Sequence, residues 1–89
     1  MSLDDIQGNI NKAYEMREKL LRNKKAQTKE ESISLWEKGF IKDSELADRI
    51  NDNTTRESFM YYSLVIYELK EQSKNIAIEN MKKFTFSLI

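Results

Sequence analysis

Nothing in this sequence interrupts helix: its 89 residues contain no Pro and only two Gly, and Lys, Glu, Leu, Met, Gln and Ala are abundant throughout. A Pro inside a helix costs about 3 kcal/mol and a Gly about 1 kcal/mol relative to Ala, so a chain this poor in both has little that stops it from coiling. The expected fold is therefore all-α: a small bundle of about four helices in a single domain, residues 1–89, with a long C-terminal helix.

Polar clusters and capping signatures divide the chain. Ser2 precedes Asp4 and Asp5 and reads as the N-cap of a first helix ending near Arg22. Leu3, Ile6, Ile10, Ala13, Arg17 and Leu20 recur along it at three- and four-residue steps, with Tyr14 and Leu21 beside them. That is an amphipathic stripe with one cation in it. After a polar connection, Thr28 and Glu31 have the spacing of a capping box for a short helix over about Lys29–Lys38, which contributes Ile33, Leu35 and Trp36. Gly39 is placed to end it in the left-handed conformation, and Phe40 and Ile41 are expected to tuck inward. Asp43 or Ser44 then caps a third helix, about Glu45–Asn51, that buries Leu46, Ala47 and Ile50. Thr54 and Glu57 form a second capping box, and the last helix runs from there to about Lys83. The ending FTFSLI alternates apolar and polar residues, which leaves 84–89 open to a strand, an extended tail or a frayed helix end.

Two absences narrow the chemistry. With no Cys and no His, the chain has no disulfide framework, and a structural zinc site is effectively excluded. The commonest general base and the most nucleophilic side chain are missing too, and no G-x-S-x-G or Gly-rich phosphate loop is present. The expectation is a non-enzymatic protein with no cofactor. Asp48–Glu57 is oxygen-rich but lacks the Gly of an EF-hand loop, and helix capping accounts for its Asn and Thr residues. No signal peptide is visible, and the longest apolar run, Phe59–Leu69, is shorter than the roughly 20 residues of a membrane span, so a cytoplasmic location is expected.

Fifteen basic and fifteen acidic residues give a net charge of zero, which argues against a protein held to nucleic acid by phosphate contacts. The segment from Lys19 to Lys29, with Arg22, Lys24 and Lys25, has no acid in it. Cations belong at a helix C-terminus, however, and the expected helices here have acids at their starts and, in three of the four, Lys at or just beyond their ends. A helix-turn-helix over Glu45–Leu69 is the sharper nucleic-acid reading. Its second helix offers Arg56 and then turns apolar and aromatic, where a reading head needs polar side chains.

The most informative stretch is Phe59–Leu69. Phe59, Tyr62, Ile66 and Leu69 form the face expected to pack on the other helices. Met60, Leu64 and Tyr67 lie well around the cylinder from that face, with Tyr61 beside them, where a surface helix is ordinarily polar. Either the helix is wrapped on all sides, or it gives a second side to another chain. The short helices before it offer little wrapping, so the favoured reading is protein–protein binding, as a regulator, inhibitor, adaptor or assembly subunit. Self-association through the long helix is part of that reading, and Met60, Leu64, Tyr67 and Tyr61 are the candidate partner-binding residues. The alternatives are the nucleic-acid regulator and a structural component of a larger assembly.

Overall fold

The computed structural model describes residues 2–88, with side chains described within residues 2–82. Four α-helices follow one another: α1 (Leu3–Leu21), α2 (Glu30–Glu37), α3 (Asp43–Asp48) and α4 (Asn53–Leu88), with a 3₁₀ turn at Lys24–Ala26. No strand occurs among the described residues. Of the FTFSLI ending, residues 84–88 fall at the end of α4; their side chains, and Ile89, lie outside the described residues.

Helix α1 starts as its sequence directs. The Ser2 Oγ accepts from the Asp5 amide at 3.2 Å, and the Asp5 carboxylate accepts from the Ser2 amide at 3.4 Å, so two of the helix's free donors are satisfied reciprocally. The two capping boxes expected at Thr28 and Thr54 do not form. Lys29, not Thr28, is the residue before α2 and makes no side-chain cap, while the Thr28 hydroxyl donates to the Ala26 carbonyl. The left-handed backbone of Gln27 (φ 47°) turns the chain there and carries Thr28 away from the helix start. At α4 the cap lies two residues earlier than Thr54: Asp52 Oδ2 accepts from both the amide (3.0 Å) and the hydroxyl (2.6 Å) of Thr55. A carboxylate with full charge outcompetes a hydroxyl for that position. Neither Asp43 nor Ser44 caps α3. Lys42 stands at its N-cap without a side-chain bond, because Asp43 is engaged elsewhere.

Gly39 ends α2 as expected, in the left-handed region at φ +83°. Its amide donates to the Trp36 carbonyl and that of Phe40 to the Leu35 carbonyl, the two bonds of a Schellman turn. This reversal leaves Phe40 73 % exposed, against the expectation that it tucks inward, and gives the inward place to Ile41.

Helices α1 and α4 run antiparallel. Leu21 shares a cluster with Phe59, Arg17 bonds Ser63, and Tyr14 meets Lys70, so positions descend on one helix as they rise on the other. Leu21, Ala26, Leu46, Ala47, Ile50 and Phe59 form the core at the closed end of this hairpin, with Ile33, Trp36, Ile41 and Met60 packed around it. The loops there are tied together: the Asn51 amide donates to the Ala26 carbonyl and its side chain to Gln27. Arg56 clamps α3 by donating to the carbonyls of Ala47 and Ile50 at 2.7–3.2 Å. Away from this end, Ile6, Ile10 and Ala13 of α1 are buried. The result is long and thin, 57 × 24 × 15 Å, with a radius of gyration of 16.8 Å where a compact chain of this length has about 12 Å.

Candidate functional site

Two surfaces stand out, one legible in the sequence and one not. The first is the outer side of α4. A helix turns about 100° per residue, so Tyr61 and Leu64 project well away from buried Phe59, Ser63 and Ile66, while Tyr67 stands at the edge of that buried face. The three are 61 %, 59 % and 65 % exposed. Met60, grouped with them on sequence, is half-buried and packs against the core cluster. It is therefore shared between the core and the outer face. Farther along α4, Ile78 is 40 % and Met81 69 % exposed. Three large apolar side chains within two turns, each more than half in water, form the kind of surface that partners cover.

The second surface is an open cleft of about 530 Å³ between α1, α4 and the α2–α3 connection. Arg17 forms its floor. Sequence reasoning placed this residue as an interruption of the apolar stripe; in the fold it is the centre of a network. Its residue is 8 % exposed, and Nη1 donates to the Ser63 Oγ at 3.1 Å and lies 3.5 Å from Asp43 Oδ2. The guanidinium carbon sits 4.7 Å from the centre of the Trp36 ring, 5.2 Å from Tyr14 and 5.7 Å from Phe59. Asp43 in turn accepts from Trp36 Nε1 at 2.6 Å, so the carboxylate orients the ring on which the cation stacks. Tyr67 and Lys70 line the outer wall, and the Lys70 ammonium stands 5.3 Å from the Tyr14 ring. The signal for this site was the cation on a buried stripe: a long charged side chain at a core position needs acceptors and aromatic faces to meet it.

Among the described residues, no group of three or more Asp or Glu is arranged to hold a metal ion, and no helix is long and apolar enough to cross a membrane. The carboxyl of Asp52 is displaced below its ordinary range. The Thr55 hydroxyl and amide that donate to it hold its pKa down, with the charge of Lys25 adding to the effect. It acts on the start of α4 and touches neither surface. Comparison with protein-family models, with curated proteins and with solved structures finds no match to this chain.

Proposed function

We propose that this is a small non-enzymatic helical protein that acts by binding protein, and that its first partner is a second copy of itself, held through α4. The observation that supports the reading is the exposure of Tyr61, Leu64 and Tyr67, each about 60 % in water, on a helix whose inner face is core. Covering each of these side chains against a partner contributes up to about 1.5–3 kcal/mol, a strong incentive for a chain with a small core. A regulator, inhibitor, adaptor or assembly subunit all use such a surface. A nucleic-acid reading of α3 and α4 has less support. Arg56, the cation at the start of its reading helix, already donates to the carbonyls that close α3, and α3 itself is six residues long.

The test is light scattering or sedimentation of the pure protein over a wide concentration range, with Leu64→Glu and Tyr67→Glu as variants. Dimers in the wild type that dissociate in both folded variants are expected. A wild type that stays monomeric, with both variants unchanged in solubility and in partner capture, would sink the reading.

A further inference from the structure

The exposed face of α4 carries more than apolar surface; it has an order. Leu64, Tyr67, Glu71, Lys74, Ile78 and Met81 follow one another at alternating three- and four-residue steps, the spacing that keeps side chains on one seam between two helices. All six are exposed. The order is also palindromic in character: two apolar residues, an acid, a base, two apolar residues. Glu71 and Lys74 sit at the middle of the seam, and among the described residues neither takes part in an ion pair within the chain.

From this we infer that α4 pairs with the α4 of a second copy in antiparallel orientation, with the two-fold axis passing between Glu71 and Lys74. The inference rests on the self-association proposed above and specifies its geometry. In this register Leu64 faces the partner's Met81, Tyr67 faces the partner's Ile78, and Glu71 faces the partner's Lys74. Each contact occurs twice, as a two-fold interface requires. The orientation follows from charge. A parallel pair in register would set Glu71 against Glu71 and Lys74 against Lys74, both repulsive at the centre of the seam, whereas the antiparallel pair turns the same four charges into two attractive contacts. Apolar residues at either end then meet apolar residues, and the seam is about 25 Å long. An interface that short binds weakly, so exchange between monomer and dimer is part of the expectation.

The test is a charge-reversal cycle read by sedimentation equilibrium at low ionic strength, with circular dichroism to confirm that each variant is folded. Glu71→Lys places Lys against Lys across the antiparallel seam, and Lys74→Glu places Glu against Glu. Each single variant should raise the dimer dissociation constant about tenfold, and the double variant E71K/K74E should return it close to the wild-type value. In a parallel dimer both positions face like charges in all four proteins, so no loss and rescue would be seen. Because the chain has no Cys, single thiols give an independent readout. Under mild oxidation Tyr67→Cys and Ile78→Cys should each cross-link poorly alone and well when mixed. Efficient cross-linking of each variant with itself, or a wild-type dimer indifferent to the charge cycle, would overturn the antiparallel pairing and leave self-association standing. A wild type that remains monomeric at millimolar concentration would remove both.

Discussion

Arg17 is the residue whose replacement most directly tests how the fold is held. Its contacts set the magnitude. The bond from Nη1 to the Ser63 hydroxyl, at 3.1 Å, is a hydrogen bond from a charged donor, worth about 1.5–3 kcal/mol. The ion pair with Asp43 adds at most about 1 kcal/mol, since the Asp43 side chain is 41 % exposed and water screens it. Stacking on Trp36, Tyr14 and Phe59 adds about 1–2 kcal/mol. Against these stands the cost of stripping water from the guanidinium, several kcal/mol, which is recovered when the charge is removed. Arg17→Met keeps most of the volume among the rings and recovers that cost, so a loss of only about 1 kcal/mol is expected. Arg17→Ala recovers the same cost but leaves a hole beneath the aromatic cluster, and the expected loss is about 3 kcal/mol. For a domain of this size those values correspond to melting points lower by about 4–8 °C and by three times that. Circular dichroism follows the global transition. Fluorescence of Trp36, the single Trp, reports on the stack itself, and both variants should shift its emission in the folded state. If Arg17→Ala proved as stable as the wild type, with Trp36 emission unchanged, the reasoning that puts this cation at the centre of the packing would be refuted.

Three further outcomes are expected of the same stability measurements. The two glycines should respond with opposite sign: Gly8→Ala, in the interior of α1 with open space around it, should stabilise by about 0.5–1 kcal/mol, whereas Gly39→Ala, at φ +83°, should destabilise by about 1–2 kcal/mol. Phe59→Ala empties a fully buried site and should cost about 3–5 kcal/mol, enough to leave a small domain largely unfolded at 37 °C by circular dichroism. Asp52→Asn should lower the melting point at neutral pH. Because the carboxyl's pKa is depressed in the folded state, its contribution is present above the unfolded value of 3.8 and is lost as pH falls through the lower folded value. The difference between variant and wild type should therefore shrink in melts below about pH 3.

The all-α class, the order of the helices and most core residues were legible in the sequence, because each rests on a local signal. Ile6, Ile10 and Ala13 are buried where the helical period puts them, and Gly39 is left-handed where only Gly is comfortable. The errors share a cause: each depends on a competitor that local spacing does not reveal. Thr54 has a sound capping pattern, but Asp52 lies two residues upstream and carries a charge. Asp43 would cap α3 by pattern, yet Trp36 Nε1 donates to one of its oxygens and Arg17 pairs with the other. Phe40 follows Ile41's rule of apolar residues going inward until the turn at Gly39 gives the place to only one of them. At the candidate surface, Leu64, Tyr67 and Tyr61 were found from the excess of apolar residues around one helix. Met60 lies between two faces of the helical wheel, and spacing alone does not show that the core claims part of it.

The shape of the molecule connects its stability to its proposed interface. At about 1.5 Å per residue, α4 is about 54 Å long, close to the 57 Å extent of the whole protein, while α1 covers about half that length. Helices α2 and α3 add their apolar side chains at the closed end only, around Phe59. Beyond it, two helices lie side by side, and a pair can bury just the strip where they touch; the rest of each cylinder faces water whatever residues it carries. Folding alone therefore cannot cover Leu64, Tyr67 and Ile78, however well α1 packs. A second helix laid along that side would cover them and would brace the thinner end of the hairpin at the same time. A compact monomer would be better served by a shorter α4 or a polar outer face. The combination of that length with apolar side chains on the outer face is understandable if the helix is half of an interface.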